Sequence, residues 1–137
     1  MTTELERLAD KGLIEREPPV ESEVNGLLAV GEQYLSIAAD SALPALVRFT
    51  LGYDAAHSFA LAALRRAGYR SPNRYLVFQC LAHTLGMGAP IWRLLSDAHL
   101  RRNRALYEGV VLLDDRHVED VISAAGAVLT LLRAAMA

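Results

Sequence analysis

A chain of 137 residues is long enough for one domain with a real core and too short for two. Hydrophobic residues make up 53% and aromatic residues 7%, so Ala, Leu and Val carry the apolar content, a bundle-filling composition that predicts an all-α chain. The net charge of -2 hides a division: residues 1–40 hold nine acids against three bases, whereas Arg48 to Arg104 span nine arginines against Asp54 and Asp97.

Taken in chain order, Thr3 with Glu6 reads as a capping box for a short first helix that Gly12 ends, and Glu17-Pro18-Pro19 makes an extended connector. Residues 1–20 are therefore a short helix and connector leading into a bundle over 21–137, all within one domain, 1–137. Ser22 begins a second helix running to about Asp40, with Leu27, Leu28, Leu35 and Ala38 available for burial. Ser41 starts a third, with Pro44 in its first turn, that continues to Gly68; its stripe is Leu46, Phe49, Tyr53, His57, Ala60 and Leu64. Ser71 as N-cap and Pro72 at the first helical position launch a fourth helix through Cys80 to about Leu85. Gly86-Met87-Gly88-Ala89-Pro90 breaks the chain, and a fifth helix follows to Gly109. Asp114 or Asp115 caps the last helix, whose stripe is Val118, Val121, Ile122, Ala125, Leu129 and Leu132. The expectation is a helical bundle of about five to six helices around a four-helix core, with no strand pair.

The apolar fraction is high for a small monomer, and the surplus points to a homodimer. The lone Cys80 excludes an internal disulfide framework and a Cys-rich zinc site. Met-Thr-Thr-Glu-Leu-Glu lacks the basic and apolar regions of a secretory leader, and the longest apolar run, Val121 to Leu132, is too short for a bilayer. A cytoplasmic protein without membrane contact, metal or cofactor is expected. Thirteen of the fourteen bases are arginines, suited to planar, bidentate recognition of phosphate or carboxylate. The basic middle fits an anionic partner, and it equally fits the acidic N-terminal segment of its own chain.

The best candidate site is Arg101-Arg102-Asn103-Arg104-Ala105-Leu106-Tyr107-Glu108-Gly109. On a helix the stripe Ile91, Leu95, Ala98 and Ala105 places Arg102 where a Leu is expected. An unpaired buried guanidinium is costly, so Arg102 must face a partner, a cleft or an anion. At about 100° per residue, His99, Asn103 and Tyr107 lie within about 80° of one another beside it. Phosphate-loop, zincin and serine-hydrolase motifs do not occur. His57 reads chiefly as a core histidine, with Asp54 three residues earlier able to fix its tautomer. Tyr69, Arg70 and Arg74 bracket the Gly68 turn and read chiefly as solvated loop residues.

Two segments carry a family resemblance. The run from Gly52-Tyr53-Asp54-Ala55-Ala56-His57 to Arg65-Arg66-Ala67-Gly68-Tyr69-Arg70, followed by Leu100-Arg101-Arg102-Asn103-Arg104-Ala105-Leu106-Tyr107-Glu108-Gly109, resembles the HEPN superfamily, the higher eukaryotes and prokaryotes nucleotide-binding helical domains. The likeness is to small, stand-alone bacterial members and spans nearly the whole chain. It implies a bundle of four to six helices, often homodimeric, with the motifs of two protomers facing each other. Many members are metal-independent endoribonucleases with an Arg, four to six residues, then His.

Carried over, the motif Arg falls on Arg102, the polar residue after it on Asn103, and the His position on Tyr107. A phenol is a poor proton shuttle near neutral pH, so the resemblance implies a degenerate nuclease motif, with His99 a substitute on the same helix face. The candidate catalytic residues are Arg102, Asn103, Tyr107 and His99, and the candidate ligand-binding residues Arg101, Arg104, His57 and Asp54. The expected function is binding of a nucleotide or RNA phosphate by the Arg-Asn-Tyr cluster. The alternatives are an active, toxin-like endoribonuclease and an interaction module with an antitoxin or nucleotidyltransferase partner.

Overall fold

Capping chemistry decides where the helices begin. In the computed structural model, which describes residues 3–137, Thr3 Oγ1 accepts the Glu6 N–H at 3.1 Å and opens α1 (Glu4–Asp10). Gly12, at φ 74°, then turns the chain into β1 (Glu15–Arg16), which pairs antiparallel with β2 (Tyr69–Arg70) in the register Glu15 opposite Arg70 and Arg16 opposite Tyr69. Everything else regular among the described residues is helical: α2 (Glu21–Ala38), α3 (Ala45–Arg66), α4 (Arg74–Gln79), α5 (Leu81–Thr84), α6 (Ala89–Glu108) and α7 (Asp115–Met136). The chain is thus an all-α bundle with a two-residue ladder that alternation could not announce, since strands this short carry no period.

Several boundaries move from their expected places for identifiable reasons. Asp40 Oδ1 accepts the Ala42 N–H at 3.0 Å and Asp40 O accepts the Leu43 N–H at 3.2 Å, so residues 40–43 form a turn and α3 starts only after Pro44. The ladder keeps Tyr69 and Arg70 extended, and Ser71 does not cap α4. Its Oγ accepts the Asn73 N–H at 3.1 Å, while Asn73 Oδ1 caps through the Leu76 N–H at 3.2 Å. At the other end Gly109, at φ 68°, closes α6, and Asp114 opens α7 in a capping box completed by His117 Nδ1 accepting the Asp114 N–H at 3.2 Å.

The central element is α3, buried on nearly every side from Phe49 to Arg65. Contacts Arg48 to Ala38, Ser58 to Leu27 and Arg65 to Glu23 show that α2 runs antiparallel to it. Contacts Arg48 to Glu119 and Arg66 to Ala135 show that α7 runs parallel to it. Small residues permit the close approach. A Cβ on Gly31 would overlap the Phe59 ring, and one on Gly52 would sit 3.2 Å from Val121 and Ile122. The core gathers Phe49, Phe59, Leu64, Val121, Val128 and Leu132, and no described helix is long and apolar enough to cross a membrane.

Arg65, 1% exposed at the last turn of α3, ties the connector to this core. It donates to Glu17 O at 2.9 Å, Pro18 O at 2.8 Å and Tyr69 O at 3.3 Å and pairs with the Glu23 carboxylate. Arg70 reaches the same two acids, Glu17 at 2.6 Å and Glu23. The acidic N-terminal segment therefore docks on the basic middle of its own chain. Replacing Arg65 by Met should strand three carbonyls, leave Glu17 and Glu23 to Arg70 alone, and cost on the order of 3 kcal/mol, read as a lower urea midpoint at unchanged slope. A midpoint within error of wild type would show the clamp to be inessential.

Candidate functional site

Three helices bring polar side chains together around Tyr53. α3 supplies Tyr53, Asp54 and His57, α4 supplies Arg74 and Tyr75, and α6 supplies His99, Arg102 and Asn103. Tyr53 is fully buried. The guanidinium carbons of Arg74 and Arg102 each stand 5.5 Å from its ring centroid, and the His99 ring stacks beside it at 5.9 Å and 29°. Edge contacts from Phe78 to Tyr53 and His57, and from Tyr75 to His99, fix the rings from behind.

The hydrogen bonds form one directed chain. Arg102 can only donate, so the Asn103 atom 3.1 Å from its Nη1 is Oδ1, and Asn103 Nδ2 donates to His99 Nε2 at 3.2 Å. A neutral His99 then carries its proton on Nδ1 and donates to the Tyr53 hydroxyl oxygen at 2.6 Å. The same oxygen accepts from Arg74 Nη1 at 3.3 Å, which also pairs with Asp54 at 3.2 Å. Two arginines are thereby joined through Asn103, His99 and Tyr53, with Arg102 Nε left buried without a partner.

Charge and burial act together on the imidazoles. Burial, reinforced by Arg74, His99 and Arg102, pushes His57 down to about 4. Burial and the same two arginines also lower His99. Both rings are neutral at pH 7. Burial raises the Tyr53 phenol against the opposing pull of Arg74 and Arg102, so it stays protonated. His57 ring nitrogens make no hydrogen bond among the described residues, whereas both nitrogens of His99 are engaged.

Of the residues expected from the sequence, the structure unites Arg102, Asn103, His99, His57 and Asp54. Asp54 faces Arg74, and no bond joins it to His57. Tyr107 stands 76% exposed on the last turn of α6 and makes no hydrogen bond among the described residues. Arg101 donates to Leu112 O at 2.7 Å and Arg104 pairs with Glu108 at 3.7 Å, so both serve the end of α6. Arg74 and Tyr53 are the residues that sequence reasoning left out of the site, one assigned to a loop and one to the core. The available signal was the spacing Tyr53, Asp54, His57, which sets all three on adjoining turns of α3.

Among the described residues no group of three His, Cys, Asp or Glu side chains is placed to hold a metal ion. What the cluster offers is two guanidiniums, neutral imidazoles and an amide, a donor-rich set that suits an oxyanion. Comparisons with family models, with curated proteins and with solved structures give no match.

The lowered histidines make stability depend on pH. Below about pH 6.5 an unfolded imidazole takes up a proton that the folded one refuses, so stability is full above that value and declines as pH falls. For His57 the decline ends near pH 4, where the folded ring also protonates. Thermal melts should show the midpoint falling between about pH 6.5 and 4, with His57→Leu reducing that slope. Parallel curves for wild type and variant would mean that His57 is not held neutral by the fold.

Proposed function

We propose that this protein binds a phosphate of a nucleotide or RNA between Arg74 and Arg102, and that it does so as a HEPN-like homodimer. The observation that carries this reading is the pair of guanidiniums against one buried tyrosine ring, one of them with an unpartnered Nε. Among the described residues only Asp54 offers either arginine a counter-charge, so the pair keeps a net positive field. A buried N–H without an acceptor costs about 1–3 kcal/mol, and a phosphate oxygen is the acceptor that removes that cost while forming charge-assisted bonds. Arg74 and Arg102 bind in this reading, Asn103 and His99 hold Arg102 in place, and Tyr53 is the platform.

A second reading, slow metal-independent cleavage of RNA, is favoured by the neutral state of His57. An unprotonated imidazole beside two arginines is the form a general base requires, with Arg102 placed to stabilise charge on the phosphorane. The chain of bonds through His99 makes His57 the freer proton acceptor.

Fluorescence anisotropy with a short labelled RNA tests the first reading. Arg102→Ala should weaken binding about tenfold or more and reduce the salt slope by about one. Equal binding by both proteins would make the arginine pair structural. Cleavage in the presence of chelator that is fast, and is abolished by His57→Ala, would establish the second reading over the first.

The dimer is proposed to form through the end of α6. Leu100, Leu106, Tyr107, Val111 and Leu112 are each exposed there by 46% or more, a contiguous stretch of chain with no cover among the described residues. Tyr107 would then serve the interface. Light scattering at micromolar concentration should give a dimer mass for wild type and for Ile37→Glu on the outer face of α2, and a monomer mass for Leu112→Glu. A wild-type monomer, or a dimer lost only with Ile37→Glu, would remove this interface.

A further inference from the structure

Beside His57 the polar cluster opens into a cavity of about 430 Å³ whose lining, Arg74 apart, the phosphate reading does not use. Its lining is chemically mixed. Arg74 and the neutral His57 ring share it with Glu15 and with Arg70, which stands opposite Glu15 in the β1–β2 ladder. Leu61 and Pro72 add apolar surface.

Glu15 lies opposite Arg70 in the ladder, yet the Arg70 guanidinium is turned to Glu17 and Glu23. Among the described residues Glu15 consequently has no ion pair, although its neighbours Glu17 and Glu23 are both paired. An exposed carboxylate with no ion-pair partner, lining the same cavity as Arg74, is an acceptor held open toward whatever occupies the space. Ser71 adds a hydroxyl whose oxygen already accepts the Asn73 N–H, leaving its own proton to donate. A ligand matching this lining has an anionic group for Arg74, an apolar plate for Leu61 and Pro72, and hydroxyl donors for Glu15.

We propose that the cavity is the nucleoside subsite of the phosphate site, and that it takes a ribonucleoside monophosphate whose ribose hydroxyls donate to Glu15. This rests on the phosphate reading given above and adds the ligand class. Carboxylates accept from ribose hydroxyls in dinucleotide-binding folds for the same reason, since a diol supplies two donors where a carboxylate supplies only acceptors. Glu15 also repels a second phosphate beside it, where the Arg70 charge is already taken up by Glu17 and Glu23, which selects a mononucleotide or a chain terminus over an internal stretch of RNA.

Calorimetric titration of wild type, Glu15→Ala and Glu15→Gln with AMP, 2′,3′-dideoxy AMP and inorganic phosphate tests this. Wild type should bind AMP about tenfold more tightly than the dideoxy compound, the worth of hydrogen bonds to a charged group, and Glu15→Ala should bring that ratio to about one. Glu15→Gln, which keeps an acceptor oxygen without the charge, should retain part of the preference. Phosphate should bind all three proteins, slightly better without the carboxylate. If Glu15→Ala improves AMP and the dideoxy compound equally, Glu15 acts only by repulsion and the subsite is overturned while the phosphate site stands. If wild type binds none of the three, both are overturned.

Discussion

A guanidinium that is 1% exposed must have its positive charge and all its N–H groups answered inside the fold, and the way Arg65 meets that demand organises the N-terminal third of the molecule. Its partners come from three places: the connector carbonyls of Glu17 and Pro18, the α2 carboxylate of Glu23, and the carbonyl of Tyr69 in β2. Pro18 and Pro19 have no N–H to donate to a ladder, and the connector is held instead through the carbonyls of Glu17 and Pro18. With the connector fixed, Glu17 N–H reaches Gly68 O at 3.0 Å and the β1–β2 ladder follows in register. That ladder in turn keeps residues 69 and 70 extended, delays α4 until Arg74, and so sets the direction from which Arg74 approaches Tyr53. The structural clamp and the candidate site are linked through four residues of chain.

The two sides of α3 are built on different principles. Toward α2 and α7 it presents Gly52, Ala56, Phe59 and Ala63, and the partners answer with Gly31 and the stripe of α7, giving backbone approach close enough that a methyl group at Gly31 would collide with Phe59. Toward α4 and α6 it presents Tyr53, Asp54 and His57, and the partners answer with donors. A core side that tolerates no added volume holds a polar side in which charge is only partly balanced, because Asp54 is the one acid among the hydrogen-bonded groups there.

Much of this was legible in the sequence, and the failures are instructive. The cap at Thr3, the stop at Gly109, the start of α7 and its buried stripe all follow from local chemistry, which sequence displays directly. Arg102 was recognisable as a charge in a leucine slot, and its place over Tyr53 explains how a cation occupies it: the stem is buried while the head spreads over a π face. Tyr107 stands apart from the Tyr53 cluster for reasons of helix geometry. It lies five residues beyond Arg102, about 140° round the helix and about 7.5 Å further along the axis, and it is exposed there. Arg74 was read as loop because its partners, Tyr53 and Asp54, are twenty residues away, and no periodicity connects a helix to its neighbour.

Arg74 and Arg70 show why counting arginines does not find a site. Both sit in the same short stretch and were indistinguishable in sequence, yet their charges have opposite fates. Arg70 is answered by Glu17 and Glu23 and becomes part of the clamp, whereas Arg74 has only Asp54, at 3.2 Å, and shares its field with Arg102 over one ring. The acids of the N-terminal segment are distributed so that two of them silence Arg70 and none reaches Arg102. Basicity that survives this internal pairing, and not basicity as counted along the chain, is what a ligand meets, and it is concentrated at Tyr53.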